Sequence, residues 1–404
     1  ARTISDGGYL IEQGPNGFLD RGTDAMSLVD ELKLRPRLIE ANPAARRRFR
    51  DLRELPSLQN ESPPALMASN ALGWRAKLRL LGEPWAAAPP VDRDETVFEF
   101  AERRLGREAA ETFVDTAVAG ISAGDSRALS VRSQFPVLTG WEREHGSLLK
   151  AMLKRKSGGR PRLVSFDGGM GTLTTALADR LNGAIRAGTC IERLEKSGAG
   201  WQLHLSSGST LLADHVVCAL PAHAAARVTS GFDRALAEPL AAIPYAGLSV
   251  VALAYRTSTM AKPLDGYGYL VKRSEGLSTL GVLCESAIFP NRAPDGLVLL
   301  RVMLGGTRTP GVNAMDDATV ASLAVRELSG VLGVTGPPVR QWVCRWPSAI
   351  AQYTVGHESR MAEIRRRAAA YRGLHLCGTA LDGVSFSDAI ASARRAAAQV
   401  AEAL

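Results

Sequence analysis

The sequence predicts an α/β (α+β) chain in which strands and helices are mixed along one polypeptide. Three observations predict it. The C-terminal run RGLHLCGTALDGVSFSDAIASARRAAAQVAEAL (372–404) reads as a short strand at 374–377, a turn at Gly378 and, beyond Asp388, a long Ala-rich helix. Residues 231–345 hold strand-like alternation at 248–255, 269–272, 279–284 and 297–304. Residues 24–160 read instead as mostly helical, beginning with a helix over 25–34.

At 404 residues the chain has room for two or three domains around a sizeable core. Its 46% apolar and 22% charged content is that of a globular enzyme. No run approaches the roughly 18 apolar residues of a membrane span, and no signal peptide is visible. The five cysteines (Cys190, Cys218, Cys284, Cys344, Cys377) are scattered, so neither disulfides nor a Cys-based metal site is expected, and a reducing, cytoplasmic compartment fits. The net charge of +8 suits an anionic substrate or an anionic membrane surface, or reflects arginine-rich composition alone. No Ser/His/Asp triad, paired carboxylates, metal-ligand set or P-loop is present, and no nucleic-acid partner is expected.

Taken in order, the chain opens on residues 9–18, which include the turn-forming Gly14-Pro15-Asn16-Gly17. Arg46, Arg47 and Arg48 then lead into an extended piece. Between 66 and 85, Leu72, Trp74, Leu78, Leu80, Leu81 and Trp85 interleave with Arg75, Lys77 and Arg79. That pattern suits either the core face of a surface helix or a helix lying in a membrane interface. Residues 150–162 are basic, then Gly/Pro-rich, and read as a linker. A helix over 172–181, a strand at 191–194 and a hairpin of 201–205 with 211–220 through Ser207-Gly208 follow. At the C-terminus, strand, glycine turn and helix N-terminus together can hold an anionic cofactor. The same pattern also closes ordinary sheets.

LHLCGTALDGVSFSDAI (374–390) resembles the closing motif of the protoporphyrinogen oxidases, within the flavin amine-oxidase superfamily. FVDTAVAGISAGDSRALS (113–130) resembles the same family's helix-then-loop lining the substrate chamber, and the likeness extends over most of the chain. It implies an FAD-binding Rossmann-like domain, a mixed-sheet substrate domain and a helical membrane-associated domain. The implied segments are 1–40, 159–230 and 370–404 for FAD, 41–158 for the helical domain and 231–369 for substrate. No G-x-G-x-x-G follows a strand, so the chain reads as lacking the family's first βαβ unit, and weak FAD binding by this polypeptide is the expectation.

The resemblance also implies roles for single residues. Gly14, Pro15, Asn16 and Gly17 match the G-P-x-G loop near the flavin, where absent Cβ atoms permit close approach. Ile191 matches the strand at the adenine, and Trp346 the residue beside the flavin ring. Gly378, Val384, Ser385 and Phe386 match the loop under the isoalloxazine. Arg48 matches the arginine that pairs with a propionate, with Arg46 and Arg47 as close competitors for that role. Gly120 matches the position nearest the reacting carbon. Leu270 and Leu283 match the residues that sandwich the macrocycle, and Met303 stands where the family often has an aromatic. Each also suits a plain core, turn or surface position.

The implied reaction is six-electron oxidation of protoporphyrinogen IX to protoporphyrin IX on non-covalent FAD, with O₂ as acceptor and no side chain assigned as acid or base. The resemblance also allows a homodimer and a peripheral location on the inner face of the cell membrane. Coproporphyrinogen III oxidation, another FAD amine-oxidase-like activity, and a non-catalytic chain that binds porphyrin or membrane stay open at this point.

Overall fold

The computed structural model describes residues 1–20, 23–46, 48–50, 53–55, 71–88, 93–154, 161–261 and 266–404. Arg47, residues 66–70 of the amphipathic stretch and residues 155–160 of the 150–162 linker lie outside the described residues, as do the side chains of Arg46 and Arg48. The chain forms two compact units. The first comprises residues 1–18, 36–172 and 246–349, and the second residues 19–35, 173–245 and 350–404.

The first unit is built on a seven-stranded sheet. Its order is Arg340–Ala351, Tyr245–Arg256, Leu297–Gly305, Thr279–Cys284, Gly268–Leu270, Arg48–Arg50 and Arg53–Leu55. One face is covered by the helix Asp317–Leu332, which lays Val320, Ala324 and Leu328 against Val251, Tyr269, Val282 and Val302. Each buried Val or Leu side chain among these contributes about 1.5–3 kcal/mol by leaving water. The helix starts where Asp316 accepts a hydrogen bond from the Thr319 N–H, and stops at Gly333, whose φ of 61° ends the right-handed run.

Among the described residues of 24–160 helix predominates, as expected. Strands Leu38–Glu40, Arg48–Arg50 and Arg53–Leu55 interrupt it. Leu38–Glu40 pairs with Leu163–Phe166, and Arg48–Arg50 runs parallel beside Gly268–Leu270. Their partners lie far along the chain, so local periodicity could not reveal them. Helices dominate from Trp74 to Lys154. The buried Glu83 carboxylate fastens them by accepting from Arg104, Ser147 and the Leu148 N–H.

In the second unit the antiparallel strands Ile191–Ser197, Gly200–Leu205 and Thr210–Ala213 pack Leu194, Trp201 and Leu205 against helices Ala222–Thr229, Arg234–Ala241 and His357–Ala368. The expected single strand over 211–220 is in fact two. Val216–Cys218 leaves the hairpin and pairs in parallel with Leu374–Leu376. The break falls at Asp214-His215, where the bare backbone of Gly373 packs closely against the Asp214 carbonyl and the Val216 N–H donates to Gly373 O.

The C-terminal helix also differs from expectation. It begins at Phe386 instead of after Asp388, because Ser385 and Asp388 form a reciprocal capping box. Among the described residues no helix is long and apolar enough to cross a membrane.

Candidate active site

Strand register in the first unit groups residues far apart in sequence. Residues directly opposite on paired strands share a face. Leu270, Gly281, Met303 and Val250 make one cross-strand row, and Gly268, Leu283, Arg301 and Ala252 the next. Leu270, Leu283 and Met303 therefore stand on one face, opposite the one the helix covers, and each is only partly buried. Arg48 pairs with Gly268 and extends the second row by its backbone position.

The helix Asp115–Ser122 meets this face through Gly120, where a Cβ would lie 2.5 Å from Leu270 Cδ2. Gly281 makes the same accommodation from within the sheet, since a Cβ there would come within 2.8 Å of the same atom. Two missing side chains thus make room for Leu270.

An ion cluster pins the edge beside it. Asp115 is buried and accepts from Ser126 (2.6 Å), Arg273 (3.1 Å) and Arg308 (3.0 Å). Arg308 also donates to the Val271 carbonyl. Burial pushes the Asp115 carboxyl up, but the hydrogen bonds from Arg273 and Ser126 and the charge of Arg308 outweigh it and hold it below the ordinary aspartate range.

At the head of the same unit the hairpin Thr3–Asp6/Tyr9–Glu12 delivers the loop at 14–17. The backbone of this loop is fixed from its carbonyl side. Arg301 donates to Glu12 O (3.2 Å) and Gly14 O (2.6 Å), and Trp346 Nε1 donates to Gln13 O (2.8 Å). Trp346 is 40% exposed, so it is no buried core residue.

The two glycines of the loop play different parts. A Cβ on Gly14 would meet nothing within 4 Å, whereas one on Gly17 would strike Val164 O at 2.5 Å. Gly17 is small for packing, and Gly14 leaves open space. Pro15 is exposed, while Asn16 is buried with its Nδ2 unpartnered. Behind the loop lie four buried charges: Glu12, Glu285, Arg292 and Arg301. Burial raises the Glu12 carboxyl above the ordinary range, against the hydrogen bonds from the Met170 N–H and Thr3.

In the second unit the turn after Leu374–Leu376 is held at several points. The Tyr353 hydroxyl donates to Thr379 O (2.7 Å) and accepts from the Gly383 N–H (2.7 Å). Its ring stacks on His357 with centroids 4.0 Å apart. Ser392 accepts from the Gly378 N–H and donates to Asp382, which also receives Arg365. Gly378 has φ 127° and open space where a Cβ would be. Gly383, at φ 121°, has the Asp388 carboxylate in that place. Val384 packs on the hydrophobic core, Phe386 is half-buried and Ser385 is exposed. Ile191 is also exposed, at the start of its strand and beside a register shift.

Sequence reasoning missed Arg301 and Ser392 as site-supporting residues, whereas Tyr353 lies in the stretch that resembles the family's return to the flavin. Arg301 had a signal: it is the lone charge in the apolar strand LVLLRVMLG, and a charge in a buried strand needs a partner. Ser392 had none, since its partners, the Gly378 N–H and the Asp382 carboxylate, are brought up by the fold.

One unit is a sheet with a covering helix, and the other ends in a strand, a glycine turn and a helix. Residues 1–401 match the family model described as flavin containing amine oxidoreductase, and the chain belongs to that family. Its cofactor is FAD. The protoporphyrinogen oxidase of Bos taurus is 33% identical over 97% of this chain and 88% of the relative. The coproporphyrinogen III oxidase of Bacillus subtilis (strain 168) is 28% identical over 96% and 86%. Among solved structures, a protein from Exiguobacterium sp. 255-15, provisionally described as a protoporphyrinogen oxidase, superposes with a TM-score of 0.82. It covers 100% of this chain and 90% of its own at 21% identity, a likeness of fold.

Proposed function

We propose that this protein oxidises protoporphyrinogen IX to protoporphyrin IX, with O₂ as the final acceptor. The observation that carries the reading is the sheet face on which Leu270, Leu283 and Met303 stand together, with Gly120 against Leu270. A flat apolar wall suits a tetrapyrrole, and the glycine keeps the space above it shallow. Met303 supplies a pliable surface in place of a stacking ring. Arg48, at the end of the Leu283 row, is the residue we assign to a propionate.

The residues present fit a flavin. In the first unit, the bare Gly14 backbone and the unpartnered Asn16 Nδ2 offer an approach and a donor. In the second, Gly378 leaves its Cβ side open, and Val384, Ser385 and Phe386 follow it along the chain. Trp346 and Ile191 complete the residues assigned to it. When bound, FAD supplies the hydride-accepting chemistry. The chain's own part is to hold the macrocycle against the wall, orient its carboxylates and keep the loop backbones rigid. Leu270, Gly281, Leu283, Met303 and Val250 carry no ionisable group, and Arg301 in the same rows is tied to Glu285 and the 14–17 loop.

Coproporphyrinogen III is the second reading, because relatives at 28% and 30% identity carry that name. Anaerobic mixing of the flavin-loaded protein with each porphyrinogen separates the two. The preferred substrate bleaches the flavin faster and yields more porphyrin fluorescence on admitting air. Bleaching by neither would overturn the proposal.

A peripheral membrane location is part of the same reading. Around the helix Trp74–Leu81, Leu72, Ala76 and Leu80 are buried while Trp74, Leu78, Leu81 and Trp85 are exposed beside Arg75. Aromatics and cations in that arrangement suit an anionic lipid interface. Co-sedimentation with phosphatidylglycerol vesicles, reduced in Trp74→Ser/Trp85→Ser, is the expected result.

A further inference from the structure

The strand Leu297–Gly305 carries Met303 on the proposed substrate wall and, two residues earlier on the same face, Arg301. Arg301 is 4% exposed. Its Nη1 donates to the carbonyls of Glu12 and Gly14, and its Nε lies 2.8 Å from the Glu285 carboxylate. Glu285 directly follows the strand Thr279–Cys284, whose Leu283 is paired with Arg301 across the sheet. One guanidinium therefore joins three things: the wall strand, the neighbouring strand that carries Leu283, and the loop at 14–17.

The fork geometry matters here. The Nη1 end donates to both carbonyls while the Nε end lies in an ion pair with Glu285, so the extended guanidinium reaches two places that a compact ammonium does not. Burying the charge is costly, and a pair of apolar residues would stabilise the sheet at least as well. The contacts it makes favour a role in placement over one in stability. Arg292 provides the comparison, since it belongs to the same buried charge cluster. It is fully buried and donates to Ser165 and Phe166 O. It reaches the strand before the loop through the Leu10 N–H, which its carbonyl accepts, and, at 3.9 Å, the Glu12 carboxylate, with no hydrogen bond to the 14–17 loop.

We propose that Arg301 is a positioning residue that sets the register between the substrate wall and the 14–17 loop. The inference rests on the reading above for the roles of wall and loop. Gly14 can present an open backbone only while its carbonyl is held from behind, and Arg301 is what holds it.

The test uses the flavin-loaded protein and two readouts that need no porphyrinogen: amide hydrogen exchange resolved to residues 14–18, and FAD affinity. Arg301→Lys loses the fork, and the loss of a charged hydrogen bond corresponds to about 10- to 100-fold in both readouts. Arg292→Lys is expected to leave both near the wild-type values. Wild-type exchange and affinity in Arg301→Lys, or equal loosening in Arg292→Lys, would overturn the proposal. Should Arg301→Lys not fold, Arg301→Met with Glu285→Gln removes both charges together and leaves no unpaired ion. The same loosening is expected there, and a wild-type loop would count against the proposal. A protein that binds FAD but bleaches with no porphyrinogen refutes the substrate assignment, while these two readouts still decide the role of Arg301.

Discussion

Leu270 occupies the space that a side chain on Gly120 would need, with its Cδ2 only 2.5 Å from where that Cβ would stand. The relationship ties the chamber helix to the sheet by absence of volume. Its consequence is specific. Gly120→Ala gains about 1 kcal/mol of helix propensity, and the group it meets is the flexible tip of a leucine. The fold should therefore survive with unchanged melting temperature while Leu270 is pushed along the wall. Steady-state kinetics should show the KM for porphyrinogen raised about tenfold, equivalent to about 1.4 kcal/mol. Adding Leu270→Val should restore much of it. An unchanged KM in the single variant would place Leu270 away from substrate.

The Tyr353 hydroxyl bridges the two ends of the 379–383 turn. Tyr353→Phe leaves the Gly383 N–H and the Thr379 carbonyl without that partner, at a cost of about 1–3 kcal/mol. Thermal unfolding should register the loss, and flavin fluorescence after gel filtration should rise as FAD escapes. A variant that melts lower yet retains FAD fully would confine Tyr353 to folding.

Ser385 has two distinct reasons to be small and polar. It caps the helix Phe386–Ala403, and it sits in the loop assigned to the flavin. Ser385→Ala should cost about 1 kcal/mol as a lost cap, and Ser385→Gly only a few tenths, both with FAD retained. Ser385→Trp adds bulk and should abolish FAD retention in a protein that still folds. Stoichiometric FAD in the Trp variant would remove this loop from the flavin site.

Asp115 has a carboxyl held below the ordinary range. A depressed folded-state pKa contributes stability above the unfolded pKa, about 3.9 for aspartate, and that stability is lost as pH falls through the depressed one. The wild-type melting temperature should thus decline on the acid side of about pH 4. Asp115→Asn should flatten that part of the decline. It should also cost about 3–5 kcal/mol at neutral pH, because Arg308 is left with a buried charge unpaired. An acid limb as steep in Asp115→Asn as in wild type would assign the decline to other carboxylates such as Glu83.

What the sequence by itself determined is what depends on neighbours in the chain. The strand Thr279–Cys284 was legible from its alternation, the C-terminal strand–turn–helix from its glycine and helix pattern, and the family from two short motifs. Period and turn chemistry are local, so they survive without a structure.

Only the tertiary structure decided which face a residue joins and what partner it meets. Leu270, Leu283 and Met303 share a wall because three strands pair in one register, and a one-residue slip would turn each to the other side. Arg48 joins that sheet through a parallel pairing with a strand some two hundred residues away. Gly14 and Gly17 look alike in the chain, yet one faces open space and the other the Val164 carbonyl. Arg301 reads as a misplaced charge until the loop it holds is brought over it, because a buried ion is stabilised only by groups the fold itself delivers.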